Sequence, residues 1–548
     1  MSLLRIILLY IKTIYFLKPV QIFNRLTRKF SSLYIVENRP YKIKNFPKLD
    51  WDVSNKKILQ NNTFIFLNDK KSLNFPRDWN NPNYEKLWTY NLHYFDGLLC
   101  SSTEIFLKRD LIHQWIEDNK LLSGIGWEPY PISKRSVNWI KYLSSNIEEI
   151  NEEITDSLVK QIRFLNNNIE YHILGNHILE NARALIFAGL FFDGIEPKKW
   201  LTRGIKILRL QINEQILNDG AHFELSPMYH SIVLEILIDI YKLSSINNSD
   251  NDLKGLNSLL KINIIKMADW LQAMLHQDGE ISYFNDAALG IALHPSAIFK
   301  ELNSLINYKP REDRNGVTYL EDSGYIRISC KDSILIFDAA EIGASYQPGH
   351  GHADALSFEL SVFGSRLIVN SGTSNYENSS RRHFERSTIA HSTLTINELN
   401  SSEVWSSFRV GARAKIKDIH IKNENDIQEI KASHNGYRKL ERTLLHTREI
   451  KKIKNSLIVI DRVNNQIKYD LKSRFHLSPD ININFLEGNN TGELITPDKK
   501  IILFTAYNCN IVIEDNLYAK GFGLLEGSST ICLKDFKQDE SMISFNWQ

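Results

Sequence analysis

The stretch YQPGHGHADALSFELSVFGSRLIVNSGTSNY, residues 346–376, joins a Gly/His turn to two apolar runs. His350 and His352 are separated by one residue, and a glycine lies on each side of His350. Residues i and i+2 share a face of an extended chain, so both imidazoles are predicted to point the same way. The glycines allow the backbone to approach a neighbouring group closely. The two runs that follow, Ala355 to Phe363 and Leu367 to Val369, are typical of buried strands.

A two-residue periodicity continues from here to the end of the chain. Segments such as SILIFDAAEI, SLIVIDRV and KIILFTAY are short and rich in β-branched residues. Turn signals separate them, among them Phe363-Gly364-Ser365 and the sequence from His434 to Tyr437. Many short strands without helices between them predict an antiparallel β-sandwich, with central strands buried on both faces.

The sequence from about Ser101 to Leu305 has a helical pattern instead. Segments such as VNWIKYLSSNIEEI, HILENARALIFAGLFF and YHSIVLEILIDIYKL carry apolar residues every three to four positions. Short segments of this kind with polar links predict packed antiparallel helix pairs. The aromatic segment before them, PRDWNNPNYEKLWTYNLHYFDGL, lacks clean periodicity and is predicted to be a loop.

The polar segment YKPREDRNG, near Tyr308 to Asn315, marks the change between the two patterns. We therefore expect an α+β chain with three parts. These are a basic amphipathic segment at residues 1–45, a helical domain at 46–310 and a β-sandwich domain at 311–548. A ligand site is then expected in a cleft between the two large domains.

Composition narrows the class of protein. The net charge of +2 argues against a nucleic-acid-binding protein, which would carry a strong basic excess. The four cysteines are far apart and form no CxxC motif, so neither a disulfide framework nor a thiolate zinc site is expected.

The N-terminus is apolar with interspersed basic residues. Lys12 interrupts the apolar run, no small-residue cleavage site follows, and the uninterrupted part is too short to span a bilayer. Its apolar residues recur at helical spacing. Two interpretations stay open, a helix docked on its own protein or a helix in peripheral contact with an anionic membrane through residues 1–30. We expect a protein that is cytoplasmic or peripheral to the inner membrane face.

Two clusters in the helical part could carry chemistry. In GNHILEN, Asn176, His177 and Glu180 would lie around the first turn of a helix, where free N–H groups favour an anion. Alternatively, Asn176 caps the helix and His177 pairs with Glu180. In DGAHFELSPMYH, Ser226 is a candidate cap and Pro227 fits the first helical position. Tyr229 would follow in the first turn, as an acid or base or simply bound to a backbone carbonyl.

Two further clusters suggest ligand binding. His352 and His391, with Asn370 on the strand between them, could hold one metal ion, although Asn is a weaker ligand than Asp and His391 also suits a buried core position. Aromatic and basic residues suit an acidic sugar, or else a helix pair that packs on itself. The candidate substrate-binding residues are Tyr94, Trp127, Tyr130, Arg135, Trp139 and Arg386.

Taken in order, the motifs WEPYPISKRSVNW, GNHILEN, DGAHFELSPMYH, HQDGEISYFND, GHGHADALSFEL and AHST resemble those of the heparinase II/III-like polysaccharide lyases. The resemblance covers roughly Trp88 to Phe408 and implies an incomplete (α/α) toroid followed by an antiparallel β-sandwich. It also implies one structural zinc ion at His352 and His391, with an Asp where this chain has Asn370.

The resemblance implies roles for the remaining residues as well. Asn176 or His177, with Glu180 nearby, would face the carboxylate of the substrate. Tyr229 would be the catalytic tyrosine, and His350 the partner base or the group that neutralises the carboxylate.

We therefore expect a lyase that cleaves an acidic, uronate-containing glycan by β-elimination, within surface-polysaccharide metabolism. Either Tyr229 or His350 would remove the C5 proton. The basic N-terminus fits a second interpretation better, a non-lytic glycan-binding or assembly protein of polysaccharide biosynthesis. A third is a glycoside hydrolase that uses carboxylate pairs. Its candidate residues are Glu224, Asp278, Glu280 and Asp286.

Overall fold

A computed structural model describes residues 3–27, 41–44, 46–47, 51, 62–120, 122–247, 251–311, 315–424, 426–464, 469–537 and 540–547. Part of the predicted 1–45 segment, including Arg28 and Lys29, lies outside these residues, as does the centre of the predicted linker at 312–314. The described helices are α1 (Leu3–Ile14), α2 (Pro19–Thr27), α3 (Lys86–Tyr94), α4 (Ile105–Asp118), α5 (Pro129–Ser145), α6 (Glu152–Asn167), α7 (Gly175–Phe191), α8 (Ile195–Gln215), α9 (Pro227–Ile246), α10 (Asn251–Ala273), α11 (Pro295–Ile306) and α12 (Ser380–Glu385).

The described strands follow mainly after residue 315. They are β1 (Thr63–Phe66), β2 (Asp69–Ser72), β3 (Gly316–Leu320), β4 (Tyr325–Cys330), β5 (Ser333–Asp338), β6 (Phe358–Val362), β7 (Ser365–Val369), β8 (Leu394–Ile396), β9 (Val404–Trp405), β10 (Arg409–Val410), β11 (Ile416–Glu424), β12 (Ile427–His434), β13 (His446–Ile453), β14 (Ser456–Val463), β15 (Leu471–Leu477), β16 (Asn482–Phe485), β17 (Thr491–Ile495), β18 (Ile501–Tyr507), β19 (Asn510–Gly521), β20 (Leu524–Lys534) and β21 (Glu540–Trp547). A helical N-terminal part and a strand-rich C-terminal part are therefore confirmed.

The chain divides into two compact units. The strand-bearing unit contains Met1–Leu17, Leu217–Ile232 and Ile265–Gln548, and the helical unit contains Lys18–Ile216 and Val233–Ile264. The predicted domain boundaries at residues 45 and 310 stay a prediction.

Helices α4 to α10 occupy the segments where the sequence has a 3.6-residue apolar repeat. Helix α7 is buried almost throughout, from Gly175 to Phe191, as its continuous apolar sequence requires. The prediction of a loop around KLWTYNLHY was wrong, because these residues form α3. Its aromatic side chains lie on several faces of the helix and are buried on most of them, which hides the helical period.

Two large antiparallel sheets make up most of the strand-bearing unit. One has the order β11-β12-β13-β14-β21-β18-β17-β16, and the other runs β19-β20-β15-β7-β6-β5-β4-β3 with β8 beside β15. Strands β5 and β6 are buried at every position, as predicted. Phe363 and Gly364 both have positive φ angles of 52° and 81°, which the tight β6–β7 hairpin requires.

Side chains from both sheets meet in one hydrophobic core. Ile328, Phe337 and Leu360 come from one sheet, and Ile450 and Phe545 from the other. The segment between β5 and β6 holds the Gly/His turn, so the core fixes both ends of that turn. Rigid strands thus position the polar groups described next.

Candidate active site

Tyr229 lies in the first turn of α9, within the strand-bearing unit. The predicted cap is confirmed, since the backbone N–H of Tyr229 donates to Ser226 Oγ at 3.2 Å and Pro227 is the first helical residue. Leu225, just before the cap, has a φ of 58°, an unfavourable angle for a leucine. Asn285 Nδ2 and Tyr325 Oη both donate to its carbonyl at 2.9 Å, and these bonds hold the strained turn.

Asp286 is the centre of the site. Its two carboxylate oxygens lie 2.8 Å from His350 Nδ1 and 2.8 Å from His352 Nε2. Arg382 binds the same carboxylate with both terminal nitrogens. The prediction that both imidazoles point the same way is therefore confirmed, although the chain here is a turn rather than a strand.

The charge of Asp286 is well compensated. Burial alone would raise the pKa of this carboxyl group, but the Arg382 charge and the hydrogen bonds from His350, His352 and Arg382 hold the pKa well below its usual range. Asp286 therefore stays ionised and fixes Nδ1 of His350 as the N–H donor. The second ring nitrogen, Nε2, lies 3.7 Å from Glu224 Oε2.

Tyr229 stacks on His350, with ring centroids 3.8 Å apart and an interplanar angle of 29°. Its hydroxyl lies 3.0 Å from the hydroxyl of Tyr376. Burial and the charge of Asp286 raise the pKa of Tyr229 above its ordinary value. The phenol therefore stays protonated at neutral pH, next to the imidazole.

Arg386 was predicted to bind substrate, but it is fully buried and supports the Gly/His turn. Its guanidinium donates to the carbonyls of Gly351, at 2.9 Å, and Ser406, at 2.9 Å. Gly351 itself is tightly packed, because a Cβ there would lie 2.6 Å from Cγ1 of Ile342. The predicted close approach of this glycine is confirmed. Arg386 supports His350 through its hydrogen bond to the carbonyl of the next residue, Gly351.

The predicted metal pair, His352 and His391, face each other with His352 Nδ1 3.1 Å from His391 Nε2. His352 Nε2 donates to Asp286, and His391 Nδ1 donates to the Ser387 carbonyl at 2.7 Å. In neutral rings both facing nitrogens would then present lone pairs. This arrangement fits a shared cation between the two imidazoles.

Asn370 does not complete a metal site. Its Nδ2 donates to the Tyr283 carbonyl at 3.1 Å, and its Oδ1 accepts the Ser392 N–H at 3.1 Å. The amide thus ties three backbone segments together. Among the described residues, no group of three His, Cys, Asp or Glu side chains is placed to hold a metal ion. A three-ligand zinc site therefore does not fit the residues present.

In the helical unit, His177 lies against Tyr130, with ring centroids 4.4 Å apart, and its Nδ1 is 3.1 Å from Glu170 Oε1. The proposed pairing of His177 with Glu180 was wrong. Tyr94 lies edge-on to Tyr130 at 5.9 Å, and Lys134 lies 5.9 Å above the Tyr94 ring. These aromatic and cationic groups form one cluster. Glu170, which pairs with His177, also belongs to it and was not predicted from the sequence.

Asn176 and Glu180 are buried in the first turns of α7. Leu174, not Asn176, occupies the cap position, with a positive φ of 67° and no side-chain cap bond. Both oxygens of Glu180 accept from Arg183 Nη1, at 3.1 and 3.2 Å. The idea that Asn176 caps this helix was therefore wrong. A convergence of Asn176 with Tyr229 and His350 stays a prediction.

Three predicted substrate-binding residues are part of the helical core. Trp139 is fully buried, and Trp127 donates from Nε1 to the Asn119 carbonyl at 3.0 Å. Arg135 is fully buried and donates to Gln161 Oε1 at 2.8 Å and to the Gly126 carbonyl at 2.9 Å. For these three, packing of an aromatic helix pair describes the contacts.

The structure brings Tyr229, His350, His352 and His391 into one connected group. Sequence reasoning considered Asp286 only as a candidate carboxylate of a hydrolase, and gave Tyr376 and Arg382 no role. Asp286 ends the motif HQDGEISYFND, and Tyr376 ends the opening stretch, so both were visible as positions. Their role was hidden, because no sequence spacing links Asp286 to a histidine 64 residues away.

Comparison with known proteins identifies the family of the chain. The family model described as heparinase II/III N-terminus matches residues 111–314, and the model described as heparinase II/III-like, C-terminal matches residues 312–548. A heparin-sulfate lyase from Bacteroides stercoris is 26% identical over 320 residues, which cover 53% of this chain and 44% of that protein. One from Pedobacter heparinus is 24% identical over 354 residues, covering 60% and 50%. The chain spans about half the length of these curated relatives.

A solved structure has the same fold. The crystal structure of heparinase III aligns with a TM-score of 0.69 at 16% identity, over 97% of this chain and 85% of that chain. At this identity the likeness establishes the fold alone. With two adjoining family models that together span residues 111–548, the chain belongs to the heparinase II/III-like family.

Proposed function

We propose that this protein is a polysaccharide lyase that cleaves an acidic, uronate-containing glycan by β-elimination. One observation carries the proposal: the His350 imidazole is held by Asp286 on one nitrogen and stacked against Tyr229 on its face. In this proposal the imidazole is an oriented base, and the phenol beside it is a protonated acid. Elimination needs both, one to take a carbon-bound proton and one to give a proton to the leaving oxygen.

His350 is the base in this proposal. Nδ1–H is committed to Asp286, so Nε2 takes the C5 proton of the uronate. The electrons of the broken C5–H bond form the C4–C5 double bond. The resulting imidazolium lies between two carboxylates, Asp286 and Glu224, which stabilise its positive charge.

Tyr229 is the acid. As the C4–O4 bond breaks, the phenol gives its proton to O4, and no water is consumed. The raised pKa of Tyr229 keeps this proton in place at neutral pH. The Tyr376 hydroxyl, 3.0 Å away, orients the phenol and stabilises the phenolate that forms.

Groups that bind the substrate carboxylate are a further part of the proposal. A uronate C5 proton becomes acidic only when hydrogen bonds stabilise the charge that develops on the carboxylate. Asn176 and His177 are the proposed donors, and the neighbouring rings Tyr94 and Tyr130 are the proposed stacking surface for sugar. Because the relatives are named heparin-sulfate lyases, heparan sulfate is the first polysaccharide to test.

The arginines that bind Asp286 and Asp278 favour elimination over hydrolysis by these two residues. A glycoside hydrolase needs one carboxylic acid and one carboxylate on either side of the bond. Asp286 is bound by Arg382 and two histidines, and Asp278 accepts from Arg366 at 2.7 Å. Neither carboxyl group suits the role of a proton-donating acid.

The finer architecture and the metal belong to the same proposal. We take the helical part to be an incomplete (α/α) toroid and the two sheets with their common core to be a β-sandwich. The predicted structural zinc ion stays a prediction: His352 and His391 would supply only two ligands, because the Asn370 amide is bound to backbone groups. It takes no part in the elimination steps above.

The test follows two products at once. The protein is incubated with heparan sulfate and a panel of other uronate polysaccharides, while unsaturated ends are followed by ultraviolet absorbance and new reducing ends by a colorimetric assay. A lyase yields both signals. Tyr229→Phe and His350→Gln should each lower the rate by about 10²- to 10⁴-fold, because each removes one proton-transfer group.

Tyr437→Phe is the matched control. This tyrosine is also buried, but its hydroxyl donates to the Leu394 carbonyl at 2.7 Å, in the strand core. Its variant should keep the wild-type rate per folded molecule. Reducing ends without unsaturation would identify a hydrolase. Binding without either product would favour the non-lytic alternative.

A further inference from the structure

Among the described residues, helix α1 contacts the rest of the strand-bearing unit along one side. Leu9 is buried, and Thr13 Oγ1 donates to the Val410 carbonyl at 3.1 Å. Trp405 Nε1 donates to Thr13 Oγ1 at 3.2 Å, and the Trp405 ring lies edge-on to Tyr10 at 5.0 Å. The helix therefore rests on the short hairpin formed by β9 and β10.

The opposite side of α1 is apolar and exposed to solvent. Leu4 is 69% exposed, Ile7 46% and Ile11 58%, and their spacing of three and four residues places them on one stripe. Other large apolar side chains of this segment are exposed as well: Leu3, Leu8, Ile14 and Tyr15. Patches of this kind on a folded protein mark a surface that another apolar phase covers.

The charges around α1 are mostly positive. Residues 3–27 contain four basic residues and no acidic one. Within the strand-bearing unit, Lys12 and Lys439 both bind Glu403, while Arg409 lies 4.6 Å above the Tyr10 ring and Arg413 lies 3.9 Å above the Phe16 ring. Two lysines thus share one carboxylate and two arginines lie over aromatic rings of this segment, so the charged groups that contact the segment are mostly positive.

An apolar stripe with mostly positive groups nearby complements an anionic lipid surface. Aliphatic side chains enter the acyl boundary, and basic side chains meet the phosphate groups at the level of the helix. No single described helix is long and apolar enough to cross a bilayer. The helices Ile6–Ile14 and Pro19–Thr27 reach the required length and apolar content only as a pair. We propose that α1 binds peripherally to a membrane that contains anionic lipids, with Leu4, Ile7 and Ile11 inserted.

The test uses the full chain and vesicle co-sedimentation. Vesicles of phosphatidylcholine alone are compared with vesicles of phosphatidylcholine mixed with phosphatidylglycerol. The wild-type chain should sediment with the anionic vesicles, bind the neutral ones weakly, and bind less as salt rises. The triple variant Leu4→Ser, Ile7→Ser, Ile11→Ser should bind the anionic vesicles at least about tenfold less.

The substituted residues avoid the attached side of α1. Leu9 and Thr13 are left unchanged, since the hairpin that they contact also supplies the Ser406 and Ser407 carbonyls that hold Arg386 and Arg382. The control is Leu503→Ser, Leu524→Ser, Leu525→Ser. These leucines are 48%, 40% and 45% exposed on strands, so the control removes similar apolar area elsewhere.

The proposal is overturned if the α1 variant sediments with anionic vesicles as well as the wild type does, or if the strand control loses as much binding. It is also overturned if the wild-type chain binds neither the anionic nor the neutral vesicles. Analytical ultracentrifugation without lipid tests the other occupant. If the wild type is a dimer that does not bind vesicles, and the α1 variant is a monomer, the apolar stripe is the contact surface for a second copy of this chain.

Discussion

Asp286 and Asp461 each accept hydrogen bonds from two nitrogens of one buried arginine. Each also accepts one from a histidine that lies 3.1 Å from a second histidine. The first network contains Arg382, His352 and His391. The second contains Arg448, His446 and His434. Both lie in the strand-bearing unit and use the same residue types.

The second network is closed. The Gly436 N–H donates to His434 Nδ1 at 3.0 Å, so His434 Nε2 carries the proton and donates to His446. His446 in turn donates to Asp461 at 2.7 Å. Every ring nitrogen has a complementary partner while both imidazoles are neutral.

The first network is open. Its outer histidine, His391, meets a carbonyl, that of Ser387, instead of an N–H group. Two lone pairs then face each other, and a third histidine, His350, shares the carboxylate beside Tyr229. One backbone contact thus separates a network in which every ring nitrogen has a complementary partner from one in which two ring nitrogens face each other.

The largest contrast is expected between Asp286→Asn and Asp461→Asn. Each leaves a buried arginine unpaired, so each should lower the free energy of unfolding by about 3 kcal/mol or more. Asp286→Asn should also lower the rate per folded molecule by roughly 10²- to 10⁴-fold, because Nδ1 of His350 loses its orienting partner. Steady-state rates, normalised to the folded fraction by circular dichroism, measure this effect.

Asp461→Asn is the matched control in that experiment. It should leave the normalised rate unchanged, since no atom of the second network contacts Tyr229 or His350 in the described contacts. Equal losses of normalised rate in both variants would show that the two networks do not differ in function.

Asn370→Asp should convert the open network into a metal site. Without metal, the new carboxylate faces the Tyr283 carbonyl, which loses its amide donor, at a cost of about 1–3 kcal/mol. With zinc, Asp, His352 and His391 supply three ligands. Melting temperature with zinc and with chelator, and metal content per chain, test this.

The double variant Asn370→Asp, His391→Ala is the control for metal uptake. It should bind less than one zinc ion per chain and lose the stabilisation by zinc. If Asn370→Asp alone shows the same melting temperature with zinc and with chelator, the assignment of a cation to the His352–His391 pair is contradicted.

The closed network should make the fold sensitive to acid. Burial, with His446 close by, lowers the pKa of His434 well below its ordinary value. The unfolded chain binds a proton below about pH 6.5 and the folded chain does not, so stability falls by about 1.4 kcal/mol per pH unit below that point. His434→Gln offers an oxygen acceptor and an N–H donor in place of the two ring nitrogens, and it does not bind a proton in this pH range. Its melting temperature should therefore fall less between pH 6.5 and pH 4.5, and an unchanged slope would exclude His434 as a source.

The smallest effects are expected from two serines. Ser226→Ala removes the cap of α9 and should cost about 1 kcal/mol, with a measurable fall in rate because Tyr229 follows in the same turn. Ser473→Ala removes a hydroxyl that donates to Asp461, and should cost a similar amount without a change in normalised rate. Thermal melts and initial rates of both variants separate the two outcomes.

Much of the fold was accessible from sequence because it depends on local periodicity. The segments of α4 to α10, the buried strands β5 and β6, and the cap at Ser226 all follow from patterns within about 20 residues. Helix α3 was missed, since its buried aromatic residues do not repeat with one period.

The site was only partly accessible, because it depends on long-range contacts. The pair His350 and His352 was visible as a motif, but Asp286 joins it across 64 residues and Arg382 joins Asp286 across 96. Arg135 and Arg386 have the positive charge expected of residues that bind an acidic ligand. Both, however, donate hydrogen bonds to backbone carbonyls inside the protein. Residue type alone does not distinguish a buried guanidinium from an exposed one.

The central claim is that His350, held by Asp286, removes a carbon-bound proton while Tyr229 protonates the leaving oxygen. The most direct measurement is mass spectrometry of the products formed from heparan sulfate in water enriched with heavy oxygen. The account predicts new chain ends with an unsaturated uronate, lighter by one water molecule and free of the heavy isotope. Saturated non-reducing ends, in products heavier by the one water molecule that hydrolysis adds, would contradict it.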